Sequence, residues 1–239
     1  MVTIEQAPRA KRSDSLFFPL MAITIALIVF AGFAPTYYLK YQFNGPPLDL
    51  LKMIHGAAFT SWIALLITQT GLVAGNRRDL HRKLGVLGTG LAVIMVVLGT
   101  MLAIDALRRG LVPPGAPSPA AFFAVPMGDL AAFVALVSLG VINRKRMDYH
   151  KRYMLLATTA LLGAAVARIQ LDVIQQAVLP MSFLGADLFI LAVAAYDLAT
   201  KRRVHPATIW SGVILVGSQA LRMWIGGTQA WNDFATSLL

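Results

Sequence analysis

The chain of 239 residues has no cysteine. That absence excludes a disulfide framework, a thiolate metal site and a cysteine nucleophile. Glutamate is nearly absent too: Glu5 is the only one, so glutamate-based acid–base chemistry inside a membrane is excluded. Charge is scarce at 13%, where a soluble domain carries about 25%. No stretch alternates apolar and polar residues as a barrel strand would. There is no glycine-rich phosphate loop and no His-Glu-x-x-His. What is present is apolar: 57% hydrophobic residues and a mean hydropathy of +0.68. A soluble enzyme, a disordered chain and a secreted mini-protein are all excluded.

Crossing about 30 Å of hydrocarbon takes roughly 20 helical residues. Seven stretches qualify, near 16–39, 50–74, 84–107, 119–142, 153–179, 181–200 and 206–226. The expectation is an all-α, seven-helix transmembrane bundle over 16–239, preceded by a basic leader over 1–15. The first apolar run is too long for a signal peptide and reads as a retained anchor helix.

The net charge of +10 would suit nucleic acid, but its placement argues otherwise. Fifteen of the 21 Lys and Arg fall in alternate loops: at 9–12, at 77–83, at 144–152 and at 201–203. Four, Lys40, Lys52, Arg108 and Arg109, fall on the other side. The positive-inside rule then predicts a cytoplasmic N-terminus and a periplasmic C-terminus, with anionic lipid head groups as the partner of the basic rim. No nucleic-acid partner is expected.

The basic turns repeat. His81-Arg-Lys-Leu-Gly85, His150-Lys-Arg-Tyr-Met154 and His205-Pro206 each place a histidine where a helix begins. The first two resemble the His-Arg-x-Leu-Gly and His-Lys-Arg-x-Met turns of uncharacterised bacterial polytopic membrane proteins, which implies a bacterial inner-membrane location. His-Arg-x-Leu-Gly is also similar to a turn of haem-carrying ferric-reductase and cytochrome b561-type families, which implies axial histidines. For His81, His150 and His205 three readings stand: a solvated rim, a haem or metal site, and an anion site favoured by helix N-termini in basic surroundings.

The remaining signal is polar residues inside apolar helices, each charged one costing roughly 2.5–3.5 kcal/mol to insert. Helical rise puts His55, Asp129, Arg168, Asp172, Asp187, Gln219 and Arg222 in one layer of the outer half, on five helices. Arg168 and Asp172 are spaced i,i+4 and are expected to pair. Arg222 is expected to be held by Asp187 or Asp129. Two readings stand for the layer: pairs that only specify packing, and an outward-open pocket for a small polar ligand, a proton or an ion. His55 with Asp129 and Asp187 would be a hard donor set for a divalent metal. Three function classes follow: a small transporter or ligand-binding protein, a haem or metal redox protein, and an accessory subunit or assembly factor of a larger membrane complex.

Overall fold

In hydrocarbon a backbone amide finds no water, so an apolar chain satisfies its own hydrogen bonds by forming helices. The computed structural model describes residues 12–239, and among these it is all-helical. Residues 1–11 of the expected leader over 1–15 lie outside the described residues, and its last four are already helical. Helix α1 (Arg12–Phe33) runs on into a π-helical turn, Ala34–Tyr38. Pro35 interrupts the regular ladder there, and the Leu39 amide reaches back to the Ala34 carbonyl at 2.8 Å. Then come α2 (Leu50–Ala74), α3 (Arg78–Arg108) and α4 (Pro119–Ile142). Five helical runs are long and apolar enough to cross a membrane: Ser13–Tyr38, α2, α3, α4 and α8 (Val178–Lys201).

The expected single helix over 153–179 is not formed. Its place is taken by α5 (Met147–Thr159), α6 (Gly163–Val166) and α7 (Asp172–Gln175). The cause is local. The hydroxyls of Thr158 and Thr159 donate back to the carbonyls of Met154 and Leu156, which loosens the ladder. The amides of Ala160, Leu161 and Leu162 then bond three residues back, a tighter turn. A full break follows at Gln170-Leu171, where Leu171 is extended. Gln175 caps the freed carbonyls of Ala167 and Ile169 with its side-chain amide. Every residue from 153 to 167 is apolar, small or a threonine, so hydrophobic periodicity carries no trace of the kink.

Helix α8 begins at Val178, three residues before the expected start, with Pro180 in its first turn, where no hydrogen bond is lost. Then come α9 (Pro206–Gly226) and the short α10 (Gln229–Thr236). Helix starts are capped by side chains: Asp49 on α2, Ser118 on α4, His205 on α9 and Thr228 on α10.

Helix α5 is the hub. It packs on α1, α4, α8 and α9, and every residue from Leu155 to Ala160 is buried. The Trp62 indole of α2 donates to the Thr158 hydroxyl at 3.0 Å inside this core. Helix α1 closes against α6 at Gly32, where a Cβ would stand 2.1 Å from the Ala165 carbonyl oxygen. Antiparallel neighbours gather the starts of α1, α3, α5 and α9 and the ends of α2, α4 and α8 at one end, called here the basic end. Contacts such as Tyr196–Asp14, Lys201–Asp148 and His150–Gly140 fix it.

At the basic end α5 is locked to α8 and α9 by an ion pair with no exposed surface. The Arg152 guanidinium meets the Asp197 carboxylate side-on, and its Nη1 donates to the Asp148 carbonyl at 2.7 Å. Asp197 also accepts from the Thr208 hydroxyl at 2.6 Å and the His205 amide at 3.0 Å. Removing one partner strands the other charge. Arg152→Met or Asp197→Leu should each cost about 3–5 kcal/mol. The double variant should cost far less than the sum of the two. Unfolding in detergent measures all three, and strict additivity would show the pair to be uncoupled.

Candidate functional site

The far end of the bundle is built around Arg222 on α9. Its guanidinium pairs with Asp129 of α4 and donates to the Val125 carbonyl at 3.2 Å. Its Nε and Nη2 bond the carbonyl and hydroxyl of Ser218, each at 3.1 Å. The Phe183 ring of α8 lies 5.0 Å from the charge. Gly128 makes room: a Cβ there would stand 3.1 Å from the Arg222 side chain. Beside this pair Gln219 donates to Asp187 at 3.0 Å. Of the two carboxylates expected to hold Arg222, Asp129 does so and Asp187 serves Gln219. A cleft of about 70 Å³ opens above Arg222, walled by Pro117, Phe122, Val125, Leu179 and Met223. That is room for a few waters or a small ion.

The other members of the expected layer lie elsewhere. Arg168 does not pair with Asp172. The i,i+4 spacing brings side chains together only on an unbroken helix, and the chain is extended at Leu171 between them. Asp172 sits exposed in the first turn of α7. Arg168 donates to the Ala164 carbonyl at 2.6 Å and lies over the Phe33 ring at 4.8 Å. His55 stacks on Phe59 at 4.0 Å, and its buried Nδ1 has no partner. Among the described residues no three His, Asp or Glu side chains gather as metal ligands, so His55, Asp129 and Asp187 do not assemble into a donor set.

The basic-end histidines divide likewise. His81 and His150 face each other with ring centroids 6.0 Å apart and planes perpendicular. His150 Nδ1 bonds the Gly140 carbonyl at 2.8 Å, which leaves Nε2 as its open nitrogen. The Nδ1 of His81 and the Oε1 of Gln69 are buried without partners, while the Gln69 amide donates to the His81 carbonyl. These two imidazoles are the ones a haem iron or a metal would use. His205 is not with them. It lies against Tyr149, and its Nδ1 accepts from the Ala207 amide as the cap of α9. The three-histidine set is therefore a pair and a cap.

Arg152 and Asp197 were not among the expected site residues, since Arg152 counts in sequence as one more loop cation. The signal was Asp197 itself, an acid inside the apolar stretch 181–200 with no other charge until Lys201 except Asp187. Around the pair runs a partly exposed lattice. Lys151 bridges Asp14 and Asp148, and Lys201 reaches Asp148 at 2.7 Å. Comparison with known proteins returns no match: no family model, curated protein or solved structure aligns with this chain.

His205 gives the basic end a pH dependence. Burial, then the charges of Arg152 and Lys201, pull its pKa down to about 4 from an ordinary 6.5. The folded state thus holds it neutral, as its capping Nδ1 requires. Above pH 6.5 it is neutral folded or unfolded and stability is unaffected. As pH falls from 6.5 towards 4 the unfolded chain takes up the proton first, so stability is lost. The melting temperature should fall over that window, and His205→Asn, which caps without titrating, should fall less. Equal slopes for the two proteins would remove His205 from the account.

Proposed function

We propose that the chain is a seven-span protein of the bacterial inner membrane whose basic end faces the cytoplasm, and that the cleft over Arg222 is an outward-facing site for a small polar ligand, a proton or an ion. In this reading the kinked α5–α6 and the more polar α9 supply the two further crossings, the fifth and the seventh in chain order. The clustering of the basic loops supports the orientation. The N-terminus is then cytoplasmic and the C-terminus periplasmic.

One observation carries the site: a guanidinium only 5% exposed forms the floor of a cleft that opens at the far end. Buried charge inside a membrane protein marks pathways and binding sites. The cleft's small size favours a proton or an inorganic ion over an organic ligand. Next to Arg222 on the same helix, Gln219 adds a polar link to Asp187 of α8.

Two experiments test this. Because the chain has no cysteine, a single introduced one reports its own position. Ala116→Cys should react with a membrane-impermeant thiol reagent in intact cells, and Arg144→Cys only after the membrane is opened. The reverse pattern sinks the orientation. For the site, purified protein in liposomes should pass protons, sodium or chloride faster than protein-free vesicles. Asp129→Asn/Arg222→Gln, which keeps net charge and leaves no lone buried ion, should lose that flux and any ion-dependent thermal shift. Wild-type vesicles as tight as empty ones, with no ion-dependent shift, overturn the reading.

A further inference from the structure

The facing pair His81 and His150 offers two open ring nitrogens, and from it we infer a second site, at the basic end and independent of the Arg222 cleft: the two imidazoles bind a cuprous ion, Cu(I). The backbone orients both rings. A carbonyl only accepts, so the His150 Nδ1 that bonds the Gly140 carbonyl at 2.8 Å carries the hydrogen, and Nε2 is a bare lone pair. The ring N–H of His81 is drawn in the same way to the Gln69 backbone carbonyl, and its buried Nδ1 has no partner. Each ring is thus held by one nitrogen and offers the other, which is how a metal-binding histidine is held. A buried lone pair without a partner carries a desolvation cost that a bound ion would relieve.

The spacing selects the coordination. The ring centroids stand 6.0 Å apart with perpendicular planes. With metal–nitrogen bonds of about 2.0 Å, an ion on the line between two imidazoles puts their centres roughly 6 Å apart, and a tetrahedral ion about 5 Å. Two perpendicular ring planes share one line, so both lone pairs can lie along it. Near-linear binding by neutral nitrogen donors suits Cu(I), whereas zinc takes four ligands at tetrahedral angles.

Charge and neighbours agree. Among the described residues no third histidine or acid joins the pair. The acids nearest in sequence are engaged elsewhere, Asp79 by Arg77 and Asp148 by Lys151 and Lys201. Both histidines lie in the first turn of their helices, α3 and α5, and Arg78 and Arg82 flank His81 in sequence. In a positive field without a carboxylate, a monovalent ion is repelled less than a divalent one. A soft neutral donor stands close. Met154 follows His150 by one turn on the same face of α5. Its sulfur lies 2.7 Å from where a Cβ of Gly140 would stand, and Gly140 is the residue whose carbonyl His150 bonds. Thioethers favour Cu(I). Gln69 of α2 holds the His81 backbone and Met154 fills against α4, so the gap between the rings suits a bare ion rather than a macrocycle.

The purified chain, stripped of metal with a chelator, can be titrated against the coloured bicinchoninate complex of Cu(I) under ascorbate. The wild type should withdraw about one copper per chain. His81→Ala and His150→Ala should each raise the dissociation constant at least about tenfold, and Met154→Leu should raise it less. His205→Asn and Asp129→Asn/Arg222→Gln should bind as wild type, which separates this site from the α9 cap and from the cleft. X-ray absorption at the copper edge needs no variant and should show imidazole ligands at a coordination number below four. No withdrawal by the wild type, a copper-edge spectrum without imidazole, or equal withdrawal by His81→Ala and His150→Ala overturns the site. Zinc that displaces Cu(I) at equal concentration overturns the choice of metal. A Soret band in the purified chain that is lost in His150→Ala makes the pair axial ligands of a haem and overturns the copper site.

Discussion

The Arg152–Asp197 pair constrains everything around it. Helix α5 touches four others, so its position sets theirs, and the pair is what fixes α5 to α8 and α9. Each charge would be prohibitively costly alone, which makes the pairing all-or-none. Asp197 spends its remaining acceptor capacity on the Thr208 hydroxyl and the His205 amide, so the carboxylate that fixes α5 also sets the entry of α9. The start of α9 in turn sets the register of Arg222 along the same helix. The basic end thus positions the charge that defines the far end.

Between those ends the core is held by shape. Leu156, Ala157 and Val193 are fully buried, and small residues let helix backbones approach where lipid offers no hydrophobic drive for association. Gly32 against Ala165 and Gly128 beside Arg222 are two of the points where an added methyl would crowd another element. The first joins α1 to the kinked segment, and the second lets a guanidinium enter between α4 and α9. Packing and electrostatics meet in the second case, because the space left by the missing side chain is filled by the arginine stem.

The helical class and its apolar runs were legible in the sequence because both depend on composition over about 20 residues, a strong signal. The helix start at His205-Pro206 was legible from the proline, whereas the side-chain caps at Asp49 and Ser118 appear only in the structure. The break at 160–171 was not legible. Thr158 and Thr159 are ordinary in an apolar helix, and the back-bonding of their hydroxyls to Met154 and Leu156 leaves no mark on hydrophobic periodicity. The missed break also undid the Arg168–Asp172 pairing, since spacing implies contact only on a continuous helix. Depth counting did bring Arg222 to Asp129, because both lie on unbroken helices near the same end. It could not separate Arg168 from Arg222, which share a layer but not a face of the bundle.

Three arginines in one apolar body show three solutions to the same desolvation problem. Arg152 is sealed in protein, and its carboxylate and carbonyl partners satisfy it without help from solvent. Arg222 has a carboxylate as well, but a cleft wide enough for water or an ion reaches its guanidinium, so its surroundings can change while the fold persists. Arg168 has a carbonyl and a ring and faces the surface of the bundle. Going from the first to the third, the protein supplies less of the compensation and the environment must supply more. That ordering separates the three by how far the protein itself satisfies them: Arg152 wholly, Arg222 nearly so, and Arg168 least.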